Sequence, residues 1–109
     1  MGAMTFNTIV TGKTPREAFR KAVDSALYES GHGGYTGTIA EKHEWINIHL
    51  PEGKDPYEFS GELINNDDGR ISDKWGPAGC LDITKTSYGI DAGRRENENA
   101  YLFFGWASS

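Results

Sequence analysis

The sequence predicts a single α+β domain with a mainly antiparallel, curved sheet of four to five strands and one long and one short helix packed on it. Three patterns indicate this class: a strongly signalled helix over residues 14–30, β-branched alternation before it, and an apolar segment near the C-terminus. The predicted element order is β-α-β-β-α-β-β. A chain of 109 residues supports one core, so residues 4–109 are taken as one domain. Residues 1–3 are interpreted as a cloning remnant before a native start at Met4.

The first predicted elements are a strand over residues 4–10 and a helix that begins after Thr14. Apolar and β-branched residues alternate along the strand. The segment Thr14-Pro15-Arg16-Glu17 combines a threonine N-cap, a proline at the first helical position and a capping-box glutamate. Apolar side chains then recur at helical spacing until Gly31, which is placed as a left-handed terminator. This pattern predicts a helix of about four turns.

The middle of the chain predicts further strands and a shorter helix. Residues 38–42 and 44–50 are two strands of a hairpin or one long bent strand. Three alternating aliphatic side chains of the second segment face the core, and Trp45 lies on the opposite face. Asp55 and Pro56 begin a short helix that ends near Ile64.

The last third predicts two strands separated by a loop. Residues 80–85 alternate as a strand, with Leu81 and Ile83 on one side. Residues 86–98 are expected to form an exposed loop or a frayed strand. The segment 101–106 is apolar at both alternating sets of positions, which predicts a central strand covered on both faces.

Charge and composition restrict the classes of partner. The formal net charge is −5, with 16 acidic and 11 basic residues, which argues against binding to a nucleic-acid backbone. A basic protein partner or a DNA-mimicking role remains open. The single cysteine, Cys80, cannot form an internal disulfide, and no leader or long apolar span is evident, so we expect a cytoplasmic protein without membrane contact.

Two glycine-rich segments, residues 31–38 and 75–80, are the candidate functional loops. Crowded backbone N–H groups in the first segment could hold an anion or nucleotide. The segment lacks the Gly-Lys-[Ser/Thr] ending of a phosphate-binding loop and follows a helix, so a purely structural connection is favoured. The predicted ligand- or partner-binding residues of these segments are His32, Gly34, Tyr35, Thr36, Glu41 and Trp75.

Other chemistry-bearing residues give weaker signals. Arg94 and Arg95 could clamp a phosphate, although a solvated pair of charges is favoured. The histidines lack metal-ligand spacing, so we expect neither a metal nor another cofactor. Cys80 is interpreted as a small buried hydrophobe, and no catalytic residue is assigned. A small hydrolase or transferase would have to use Glu41 or His32.

A resemblance to a class of known proteins implies where this protein acts. Residues 33–42, 73–80 and 101–106 resemble stretches of small bacteriophage-type proteins without an assigned activity. The resemblance implies action in the cytoplasm of an infected bacterium, where small acidic phage proteins often occupy a host protein or sequester a small signal.

These observations favour a non-catalytic binding protein that inhibits a host bacterial protein by occupying it through the two glycine-rich loops and an acidic surface. The alternatives are a protein that sequesters a nucleotide-type small molecule, or the small hydrolase or transferase. A homodimer could form through an exposed edge strand or through the C-terminal strand.

Overall fold

The structure, a computed structural model, describes residues 2–30, 36–93 and 95–109. In chain order its elements are β1 (Ala3–Gly12), α1 (Pro15–Ser30), the 3₁₀ helix η1 (Ile39–Glu41), β2 (Trp45–Asn47), α2 (Pro56–Asn65), β3 (Ala78–Asp82), α3 (Ser87–Asp91) and β4 (Asn99–Ser108). The predicted α+β class is therefore confirmed.

The four strands form one mixed sheet in the order β1-β4-β3-β2. β4 pairs antiparallel with β1 along ten residues and with β3 on its other side, whereas β2 pairs parallel with β3. The expected element order is partly wrong, because η1 stands in place of one predicted strand and α3 is an additional helix. Ala3 pairs with Ser108, and Gly2 and Ser109 exchange backbone hydrogen bonds of 3.1 and 3.3 Å.

The central strand is β4, and it is covered on both faces, as predicted for residues 101–106. Leu102 and Phe104 are fully buried in a cluster beneath α2 and α3, while Phe103 is fully buried in a cluster beneath α1. The sheet therefore lies between two helical layers and separates two apolar cores.

The long helix and the short helix form where their capping signals predict them. The Thr14 hydroxyl accepts a hydrogen bond of 3.1 Å from the backbone N–H of Glu17. At α2 the Asp55 carboxylate accepts from the N–H groups of Tyr57 and Glu58. These local bonds satisfy backbone donors that the first helical turn leaves unpaired.

Three predictions for the connections are wrong, and local capping explains two of them. Residues 38–42 form η1 instead of a strand, because the Thr38 hydroxyl accepts from the N–H of Ala40 and closes a tight turn. Residues 86–98 contain α3, which the Thr86 hydroxyl caps in the same way. The strand predicted over residues 44–50 is limited to β2, which pairs with β3 over three residues.

We expect the substitution Gly79→Ala to destabilise the fold by about 1–3 kcal/mol, because overpacking strains a filled core. A Cβ atom on Gly79 would lie 2.5 Å from the Phe104 ring at the sheet centre. The matched control is Gly61→Ala in α2, where an added Cβ meets no atom within 4 Å. This variant should gain about 0.4–1 kcal/mol. Urea unfolding measures the free energy of unfolding of both variants. Equal changes in the two variants would contradict the packing of Phe104 on β3.

Candidate functional site

The described parts of the two glycine-rich segments meet at one end of the sheet. The N–H of Gly37 donates to the carbonyl oxygen of Ser108 at 2.8 Å, at the end of β4. The N–H of Ala78, the first residue of β3, donates to the carbonyl oxygen of Glu44 at 3.0 Å. We name residues 73–77 the Trp75 loop. This loop and residues 36–44 therefore lie at the same end of the molecule.

Lys42 holds the Trp75 loop in place. Its side chain is 3% exposed, and its ammonium group donates to the carbonyl oxygens of Asp73 (3.4 Å), Lys74 (3.2 Å) and Gly76 (2.9 Å). Burial lowers the pKa of Lys42, and the nearby Asp73 charge partly opposes that shift. Three donors thus meet three backbone acceptors, which fixes the loop against η1.

Further contacts shape the loop around Trp75. The Asp73 carboxylate accepts from the N–H of Trp75 at 2.8 Å, and the N–H of Gly76 donates to the Asp73 carbonyl oxygen at 2.9 Å. The Lys74 ammonium lies 5.3 Å from the Trp75 ring centroid and donates to the carbonyl oxygen of Gly2. The indole is nevertheless 63% exposed. An ordered turn therefore presents a large aromatic side chain to solvent.

The described part of the first glycine-rich segment, residues 36–38, differs in arrangement from an anion-binding loop. The Glu41 carboxylate accepts hydrogen bonds from the backbone N–H (3.0 Å) and the hydroxyl (2.8 Å) of Thr36. The hydroxyls of Thr36 and Thr38 also lie 2.8 Å apart. The two described donors of Thr36 are thus bound to a carboxylate of the chain itself, whose charge repels an anion.

Arg95, another predicted site residue, is not brought to the Trp75 loop. Arg95 belongs to a turn closed by Glu98, whose carboxylate accepts from the Arg95 N–H at 2.9 Å. This turn directly precedes β4, whose ten residues span about 30 Å and end beside the Trp75 loop. Arg95 therefore lies at the opposite end of the sheet. His32, Gly34, Tyr35 and Arg94 lie outside the described residues.

Sequence reasoning missed Lys42, Asp73 and Lys74, the residues that shape the loop. The acceptors of Lys42 lie between 31 and 34 residues further along the chain, so no local pattern pairs them. The only nearby signal is Asp73, two residues before Trp75, which is a spacing typical of a side chain that caps its own turn.

Groups suited to metal binding or nucleophilic catalysis are sparse in the described ranges. Within residues 2–30, 36–93 and 95–109, no three His, Cys, Asp or Glu side chains are grouped to hold a metal ion. Cys80 is 2% exposed, as predicted for a small core residue. Burial, and secondarily the Asp82 charge, raises the pKa of its thiol to about 12, so the nucleophilic thiolate is strongly disfavoured.

A surface cleft of about 830 Å³ lies at the carboxyl ends of β2 and β3. Its polar side chains are largely bonded to one another or to neighbours. The Asp82 carboxylate accepts from the N–H and the hydroxyl of Thr84, and Lys54 forms an ion pair of 3.2 Å with Glu62. The other ionisable side chains of its lining, His49, Glu52 and Lys85, are exposed to solvent.

Comparison with known proteins gives no functional assignment. No protein-family model matches the chain, and the searches of curated proteins and of solved structures found no match. No helix in the described part of the chain combines the length and apolarity needed to cross a membrane. Functional inference therefore depends on the geometry of the Trp75 loop.

We expect Lys42→Met to reduce the free energy of unfolding by about 2–3 kcal/mol, since it leaves three carbonyl oxygens without their charged donor. The control, Lys54→Met, removes a lysine from an exposed ion pair and should cost less than about 1 kcal/mol. Denaturant unfolding gives the free energy of unfolding of both variants for this comparison. A Lys42→Met variant as stable as Lys54→Met would refute the role given to the buried ammonium.

The Cys80 thiol should resist modification in the folded protein. At pH 8 we expect no reaction with Ellman's reagent under native conditions, because the thiol is buried and its pKa is raised to about 12. Full reaction should follow in denaturant. Rapid modification of the native protein would instead place the thiol at the surface.

Proposed function

We propose that this chain is a non-catalytic binding protein that recognises another protein through the Trp75 loop. The observation that supports the proposal is an indole that is 63% exposed on a turn held by Lys42. Tryptophan is enriched among the residues that dominate interface energies. Because the turn is already ordered, binding loses little conformational entropy there.

The charge of the chain indicates the kind of partner. The net charge is −5, and the exposed Asp73 and Glu44 flank the segment that leads into β3. The negative net charge of the chain suits a partner with a basic surface around an apolar pocket, because opposite charges accelerate encounter. The resemblance to phage-type proteins makes a bacterial host protein the first partner to seek, with inhibition by occupancy as the mode of action.

We expect the substitution Trp75→Ala to weaken binding of that partner by at least about 30-fold, equivalent to roughly 2 kcal/mol. The partner would be captured from bacterial lysate with the tagged chain, purified, and titrated by calorimetry. The matched control is Ile90→Ala, which removes an apolar side chain that is 70% exposed on α3. This control should leave the affinity unchanged.

Thermal unfolding separates a lost contact from a lost fold. Both side chains are mostly exposed, so each variant should retain the stability of the parent within about 1 kcal/mol. If Trp75→Ala bound as tightly as the parent protein, or if it unfolded the domain, the Trp75 loop would not be the binding surface.

A further inference from the structure

β1 is a long edge strand, and Lys21 of α1 bonds to it at one carbonyl oxygen, that of Thr11. The strand bonds to β4 on one side only, and no strand of the described chain covers its other edge. Its ten residues include no charged side chain and no proline, two features that commonly keep edge strands apart. β4, the other strand considered for pairing between copies, has β1 on one edge and β3 along part of the other. The open edge of β1 is thus a template for another strand.

A groove runs between this open edge and α1. Its volume is about 400 Å³, and on the helix side it is lined by the small residues Ala22, Ser25 and Ala26. Small side chains leave room for those of a strand laid beside β1. The two charged side chains of the groove, Lys21 and Glu29, stand on the same helix.

The positions of these two charges define a register. The Lys21 ammonium donates to the carbonyl oxygen of Thr11 at 2.7 Å. Glu29 lies eight residues later on α1, about 12 Å back along the strand direction. A strand rises about 3.3 Å per residue, so with Lys21 at Thr11 this separation assigns Glu29 to the level of Asn7 or Thr8, among the residues 6–10 that line the groove. The point midway between the two charges is Ile9.

We propose that two copies of the chain pair antiparallel through β1, about a two-fold axis at Ile9, to form one continuous eight-stranded sheet. Residues 6–12 of each copy lie opposite residues 12–6 of the other. In this pairing the N–H of Asn7 of the second copy replaces the Lys21 ammonium at the Thr11 carbonyl oxygen, and the ammonium turns to Glu29 of that copy. The two-fold axis brings Lys21 of each copy next to Glu29 of the second copy, so the pairing contains two complementary charge contacts. The groove-facing side chains of one β1 extend over the small residues of the other α1.

The dimer leaves the proposed binding surface accessible. Lys74 of the Trp75 loop contacts the chain at Gly2, outside the paired segment 6–12. A dimer of this form presents two Trp75 loops, which raises the apparent affinity for a partner with repeated sites. The inference does not depend on the proposed function, because Trp75 takes no part in the pairing.

Charge reversal tests the pairing. Sedimentation equilibrium should show the parent protein as a dimer, and Glu29→Lys should raise the dissociation constant at least about tenfold through two like-charge contacts. The double variant Lys21→Glu/Glu29→Lys should restore the parent value within about threefold. The matched control Glu52→Lys makes the same charge change on an exposed residue outside the groove and should have no effect.

Disulfide trapping tests the register. Ile9→Cys should give a covalent dimer on oxidation with copper phenanthroline, because paired strands hold opposite Cα atoms within disulfide range. Thr5→Cys should not, since two copies of Thr5 would lie about 26 Å apart in this register. A monomeric parent protein, a dimer indifferent to Glu29→Lys, or crosslinking at Thr5 instead of Ile9 would each overturn the proposal. Circular dichroism confirms that every variant is folded.

Discussion

The burial of β4 on both faces is the constraint on which the rest of the structure depends. A strand with apolar side chains on both sides needs a helical layer above and below, and its backbone groups need a partner strand at each edge. α1 meets the first need on one face, with α2 and α3 on the other, while β1 and β3 flank the strand. The ends of the sheet are left to loops, and β1 becomes an open edge.

Lys42 turns one of those loops into an ordered surface. Burying an ammonium group is unfavourable unless its protons are bonded, and here three carbonyl oxygens accept them. The bonds join η1 to a segment more than thirty residues away and leave Trp75 facing solvent. Binding through this indole would use an arrangement that already exists in the unbound chain, which is the physical reason for favouring recognition over catalysis.

The sequence predicts what local chemistry determines and fails where distant contacts decide. Thr14 and Asp55 cap the two longer helices with their own neighbours, and the doubly apolar segment 101–106 can only be central. By contrast, residues 38–42 alternate weakly enough for the Thr38 cap to decide their conformation. The parallel β2–β3 pair and the acceptors of Lys42 depend on long-range contacts that no local pattern encodes. The sequence does not decide whether Trp75 is exposed, and the structure does.

The most direct test of the ordered Trp75 anchor is time-resolved fluorescence anisotropy of a Trp45→Phe/Trp106→Phe variant, in which Trp75 is the single tryptophan. We expect the decay to follow the tumbling of the whole protein, with strong acrylamide quenching, because the indole is exposed and its turn is held by Lys42. A dominant subnanosecond decay would show that the loop moves independently, and weak quenching would show that the indole is buried. Either result would contradict a preformed aromatic anchor.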